Sequence, residues 1–126
     1  MERIYAETDI LSLHIPLTHE TRALVDANYL RRFKRKIILV NTARGEIVPL
    51  GDLVVMMDKG QVRGAVLDVL ENEKLEKLTT SQLQAFTLLS KRSNVIFTPH
   101  IAGWTFESHV KINVALVEKI KDLRLA

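Results

Sequence analysis

Four short strings hold the residues of this sequence that could do chemistry. They are His14-Ile15-Pro16-Leu17-Thr18, Asn41-Thr42-Ala43-Arg44-Gly45, the acidic run of Asp68, Glu71 and Glu73, and Thr98-Pro99-His100-Ile101-Ala102-Gly103. Brought together, they form a set with a chemical logic. An arginine fork binds a carboxylate through two parallel hydrogen bonds and polarises a neighbouring carbonyl. A histidine moves a proton near neutral pH, and a carboxylate beside it orients the ring and favours its protonated form. Gly45 and Gly103 allow tight loops and close backbone approach to a ligand.

Taken singly, each residue has an ordinary explanation. Arg44 reads as a surface residue after a strand, and Glu71 and Glu73 as solvated charges in a lysine-containing loop. His100 follows a proline turn that needs only a polar side chain. His14 lies in an apolar run and fits a satisfied core histidine. His19 and His109 read as surface, and Trp104 as a hydrophobic staple on the helix that follows it. Spacing does not choose between Glu71 and Glu73, because residues two apart in an extended loop point the same way.

The elements that must position these residues are short apolar runs alternating with amphipathic stretches. The runs are 10–15, 37–40, 65–69 and 95–97. They are β-branched and nearly continuous, as in strands buried on both faces of a parallel sheet. Between them Asp26 caps a short helix that buries Leu30 and Phe33. Pro49 suits a first helical position, with Leu50, Leu53, Val54 and Met57 on one face and Gly60 past the end. Thr79 and Gln82 have capping-box spacing ahead of Leu83, Phe86 and Leu89. Thr105 caps a long last helix with Ile112, Leu116, Ile120 and Leu123 on one side. Glu107 lies early in it, and Lys119, Lys121 and Arg124 late, as the helix dipole prefers. Strand then helix, four times over, predicts an α/β domain with a parallel sheet. Right-handed crossovers put every strand's carboxyl end on one edge, where ligands of open α/β sheets bind. All four strings fall on that edge.

The chain of 126 residues is one domain's worth, 47% hydrophobic and 26% charged, which argues for a globular domain over a disordered one. It has no cysteine, so disulfides and thiolate zinc sites are excluded, and no metal site is expected. The net charge is +3, and its one dense basic run, Arg31-Arg32-Phe33-Lys34-Arg35-Lys36, reads as a solvated helix end rather than a nucleic-acid surface. No apolar stretch approaches the ~20 residues of a membrane span, and Glu7 and Asp9 interrupt any signal-peptide core. The expected location is the cytoplasm, with no membrane and no nucleic acid as partner.

The four strings resemble, in order and rough spacing, the D-isomer-specific 2-hydroxyacid dehydrogenases, the family of D-3-phosphoglycerate and D-lactate dehydrogenases. The third string reads in full Leu67-Asp68-Val69-Leu70-Glu71-Asn72-Glu73. The resemblance implies a Rossmann-like α/β half domain, the C-terminal half of an NAD-binding domain, over residues 1–104. Residues 105–126 would form a helix leading back toward a substrate domain. It implies that Arg44 binds the substrate carboxylate and that His100, paired with Glu73, is the acid/base. Ile15, Pro16, Thr21, Thr42, Ala43, Arg44, Asp68, His100 and Gly103 would line the cofactor, with Asp68 near the nicotinamide. The cofactor would be NAD, with NADP left open. The substrate would be a small 2-hydroxy or 2-keto acid, and the assembly a homo-oligomer.

The sequence departs from the family pattern at Leu70, where Phe or Tyr is usual, and at Lys74, where Pro is frequent. The glycines are 45, 51, 60, 64 and 103, and no pair has the G-x-G spacing of a phosphate-binding turn. The acidic residue that would read a ribose some 20 residues further on is missing with it. The chain is therefore expected to be a piece of the cofactor domain that is inactive alone. Two other readings compete: a non-catalytic dinucleotide-binding or interaction relative of the same fold, and a phosphoacceptor receiver domain. The receiver would want an acidic pair after the first strand, where His14 stands, and a lysine after the last, where Pro99-His100 stands.

Overall fold

The computed structural model describes residues 2–123. Its elements in chain order are α1 (Glu2–Glu7), β1 (Ile10–Leu13), α2 (Ala27–Arg31), β2 (Ile37–Asn41), α3 (Leu50–Asp58), β3 (Val62–Leu67), α4 (Thr80–Ser90), β4 (Val95–Phe97) and α5 (Phe106–Asp122). Short 3₁₀ turns at Gly45–Ile47 and Leu75–Lys77 lie in the loops after β2 and β3. The four strands form one sheet in the order β1-β2-β3-β4, and each neighbouring pair is parallel. A receiver domain instead has the order 2-1-3-4-5, so the strand order speaks against that reading.

Helices α2 to α5 form where the sequence supplies an end signal. The Asp26 carboxylate accepts from the Tyr29 N–H at 2.7 Å, capping α2. Thr79 and Gln82 close a reciprocal capping box on α4, and Thr105 and Ser108 close another on α5. Gly60, at φ +70°, ends α3 in the left-handed conformation that glycine tolerates. Pro49 is the N-cap of α3 rather than its first helical residue. Its ψ of 121° is extended, so helical geometry starts one residue later than expected. Arg124, counted among the late cations of α5, lies outside the described residues.

Helix α1 has no counterpart among the expected elements. It buries a single residue, Tyr5, too little to make an apolar period. Tyr5 meets the Tyr29 and Phe33 rings edge-on at 5.5 and 5.1 Å, and the Arg32 guanidinium lies 4.1 Å above it. Arg35 pairs with Asp9 at 2.9 Å. Two cations of the dense basic run are thus spent on contacts with the segment around α1.

The core lies between the sheet and the layer of α2, α3 and α4. Ile37, Leu39, Leu53, Leu30 and Leu89 are each fully buried there. Burial on both sheet faces, as the continuous apolar runs suggest, is not what forms. In β2 residues 37, 39 and 41 are buried, while 38 and 40 are only half-buried. Consecutive right-handed crossovers in one direction place all connecting helices on one face, so Ile38, Val40 and Val66 sit on the opposite, half-open one. The outer strands are more open still: Ile10 of β1 and Ile96 of β4 are 60% and 56% exposed. On α4, Leu83 is exposed where a buried position was expected, while Leu89 is buried. Helix α5 buries none of its described side chains, so the apolar side formed by Ile112, Leu116 and Ile120 faces outward.

Candidate active site

Because every strand runs the same way, the segments after β1, β2, β3 and β4 meet along one edge of the sheet. After β2, the side chain of Asn41 shapes the turn. It is 1% exposed. Its Oδ1 accepts from the Ala43 N–H at 3.1 Å, and its Nδ2 donates to the Arg44 carbonyl at 3.0 Å. The bend that results projects Arg44 outward, with one guanidinium N–H donating to the Ala43 carbonyl.

After β4, Asp68 organises the loop. Its carboxylate is 2% exposed and accepts from the Thr98 hydroxyl and from the N–H groups of Ile101 and Ala102, the latter two at 2.9 Å. Burial pushes the Asp68 carboxyl up. The Thr98 hydroxyl, the Ala102 and Ile101 N–H groups and the nearby His100 together outweigh that push and hold it below its ordinary value. Within the clamped loop His100 adopts φ +54°, a left-handed conformation that is uncommon outside glycine and is held only by over-determined surroundings.

That conformation directs the His100 ring to the loop after β3, where Nδ1 lies 2.5 Å from Oε1 of Glu73. Both side chains are about half exposed. Arg44, Glu73 and His100 border one cavity of about 640 Å³, together with Lys74 and Lys77. A smaller cavity of about 260 Å³ is bordered by Asp68, Glu73, Thr98 and His100. A third, of about 460 Å³, is bordered by His14, Ile15, Pro16, Thr42, Ala43 and Arg44. Arg44 and His100 each border two of the three, so the cavities adjoin along the edge.

Thr21 and Gly103 border none of these cavities. The Thr21 hydroxyl donates to the Pro16 carbonyl at 2.8 Å and accepts from the Thr18 N–H at 2.7 Å, closing the turn after β1. The Gly103 carbonyl accepts from Ser108 at the start of α5. His14 is not a core histidine. It is exposed, with its Nε2 2.7 Å from the Ser12 hydroxyl, because β1 ends at Leu13 and the chain has left the sheet. Trp104 meets the His109 ring edge-on at 6.2 Å, the residue pair of a staple before and within the first turns of α5. Glu71, read singly as a solvated charge, accepts instead from the Leu50 N–H at 2.9 Å and from Gln82 at 3.3 Å. Glu71, Asn41 and Thr98 were among the singled-out strings, but their hydrogen-bonding roles were not read from them. Only Asn41 carried a local signal, as an Asx-type turn residue.

Known proteins resemble this chain in sequence and in fold. The profile described as "D-isomer specific 2-hydroxyacid dehydrogenase, NAD binding domain" matches residues 1–102. A glyoxylate reductase of Aeropyrum pernix is 39% identical over 95% of this chain and 33% of its own length. A D-3-phosphoglycerate dehydrogenase of Synechocystis is 36% identical over 99% of this chain and 21% of its own. Among solved structures, the NAD-complexed D-isomer specific 2-hydroxyacid dehydrogenase of Lactobacillus delbrueckii superposes with a TM-score of 0.78 at 31% identity, over 99% of this chain and 41% of that one. The D-lactate dehydrogenase of Aquifex aeolicus, complexed with NAD and lactic acid, gives 0.78 at 32% identity, over 97% and 39%. The chain thus spans about a third of the length of the first of these relatives. With a matching family profile over most of its length and a matching sheet, the chain belongs to the D-isomer-specific 2-hydroxyacid dehydrogenases, through their NAD-binding domain.

Proposed function

We propose that the whole protein carrying this chain interconverts a D-2-hydroxy acid and the matching 2-keto acid with NAD(H). In this reading Arg44 binds the substrate carboxylate and His100, paired with Glu73, moves the proton. The observation that carries the reading is the His100–Glu73 contact at 2.5 Å, on the wall of a cavity that Arg44 also borders. Glu73 occupies Nδ1, so Nε2 is the nitrogen left to face a substrate. In reduction His100 gives that proton to the carbonyl oxygen. In oxidation it takes the hydroxyl proton back. The Glu73 carboxylate, held against Nδ1, fixes the orientation of the ring.

The residues present fit one part of the cofactor. Ile15, Pro16 and Ala43 give one cavity an apolar part against which a planar ring would lie, beside the polar Thr42 and Arg44, and Asp68 fixes the loop that carries His100. A pyrophosphate turn is not among the residues of this chain. Bound NADH would supply the hydride to substrate C2. Helix α5, with its uncovered apolar side, would lead toward a substrate-binding domain, and the working assembly would be a homo-oligomer.

The test is NADH oxidation with glyoxylate, hydroxypyruvate and pyruvate by the whole protein. His100→Asn is expected to lower kcat by at least about a hundredfold, the usual worth of a positioned acid/base. A variant with unchanged turnover would remove His100 from the mechanism. An unaltered protein that binds NADH but turns over no 2-keto acid would favour a binding relative.

A further inference from the structure

The loop of residues 70–78 carries Glu73, yet little ties it down. Apart from Glu73 on His100, its hydrogen bonds run within the loop: Lys74 to Asn72, Asn72 to Lys77, Lys77 to Lys74, and Leu78 to Leu75. The exception is Glu71. Its Oε2 accepts from the N–H of Leu50, the first residue of α3, and its Oε1 from the side chain of Gln82. The N-cap of α3 is Pro49, which has no side-chain acceptor to offer, so Glu71 supplies the anion that a helix start favours. The Gln82 side chain is held in turn, since its Oε1 accepts from the Thr79 N–H in the capping box of α4. Its amide hydrogens are therefore aimed at Glu71.

A second, independent contact joins the same two segments. A Cβ built on Gly45 would lie 1.8 Å from the carbonyl carbon of Leu70 and 2.4 Å from the nitrogen of Glu71. The Arg44 loop and the Glu73 loop therefore touch backbone to backbone, and only glycine fits at the crossing. Arg44 immediately precedes that crossing, and Glu73 follows Glu71 by two residues.

We propose that Glu71 is a positioning residue: with Gly45 it latches the loop bearing Glu73 onto the loop bearing Arg44, and so sets Glu73 against His100. The proposal rests on the acid/base pairing of His100 with Glu73 put forward above. It assigns Glu71 a role in the geometry of the site in addition to capping α3.

The experiment is nuclear magnetic resonance on the isotopically labelled chain, with the His100 ring signals identified by their loss in His100→Gln. Glu73→Gln defines how far those signals move when the pair is broken. Glu71→Ala is expected to move them the same way, and to speed exchange of the Leu50 amide about tenfold, as loss of a helix cap does. Faster Leu50 exchange with an unmoved His100 ring would overturn the proposal and leave Glu71 a helix cap only. If Glu71→Ala does not fold, Glu71→Gln serves, since its amide oxygen still accepts from Leu50 while its NH₂ group opposes that of Gln82. Leu50 should then stay protected and the ring move part of the way; an unmoved ring again overturns the latch. A ring unmoved by Glu73→Gln itself would remove the His100–Glu73 pair, and with it the acid/base reading and the latch together. A ring moved by Glu73→Gln alone removes only the latch.

Discussion

Asp68 is the residue whose loss the site should feel most, since three donors converge on one buried carboxylate. Asp68→Asn turns an acceptor-only group into one whose NH₂ must oppose a neighbouring donor, and should cost about 3 kcal/mol in chemical denaturation. The pH dependence follows from the lowered Asp68 value. A carboxylate with a depressed folded-state pKa contributes fully above its unfolded value, here 3.8, and that stability is lost as pH falls from there through the folded value. Wild type should therefore lose stability more steeply than Asp68→Asn below that pH, and parallel acid unfolding curves would contradict the assignment. Arg44→Lys in the whole protein keeps the charge but loses the fork. A loss of about 3 kcal/mol in kcat/KM, roughly a hundredfold, is expected; kinetics within a few-fold of wild type would show that Arg44 is not the carboxylate clamp. Residue types were legible in the sequence, but partners less so. Family resemblance, not spacing, favoured Glu73 over Glu71 for His100. The bond from Glu71 to Leu50 spans 21 positions and leaves no local trace.

At the scale of elements, the capping signals were the most legible because they are made within a few residues. Asp26, Thr79, Gly60 and Thr105 all stand where their chemistry puts them. Thr79→Ala removes the acceptor for the Gln82 N–H and should lower stability by about 1 kcal/mol, read as a shift in thermal midpoint with the sheet intact. Elements that depend on distant partners were harder to read. Helix α1 exists because Tyr5 finds Tyr29 and Phe33, a meeting that no local period announces. The apolar runs gave the strands but overstated their burial, since an apolar side chain reads the same whether or not a layer covers it. The crossing at Gly45 is the sharpest element-level test. Gly45→Ala places a methyl inside the Leu70–Glu71 peptide, and the loops must part at a cost of about 3 kcal/mol. A variant as stable as wild type would show that the two loops do not pack this closely in solution.

For the molecule as a whole, the half-open sheet face and the uncovered α5 leave large apolar residues at the surface, among them Ile10, Ile96, Ile112 and Leu116. Apolar surface of that extent is seldom left wet, so the chain studied alone should associate as its concentration rises. A single monomeric species over a wide range in analytical ultracentrifugation would count against it. The same chain has no G-x-G turn and so lacks the backbone donors that hold a pyrophosphate. Calorimetric titration with NAD should detect only weak binding, and a sub-micromolar Kd would overturn that expectation. The strand order β1-β2-β3-β4 has one more consequence, for how the chain reaches this state. Among the described residues every strand pairs only with strands adjacent to it in the sequence, so closing these pairs waits for no distant segment. These four strands can therefore be laid down in order from β1 during translation, each β-α-β unit docking on the one already made. Growth by addition implies that truncation after α4 would leave a stub of paired strands, whereas removal of β2 would part β1 from the other described strands.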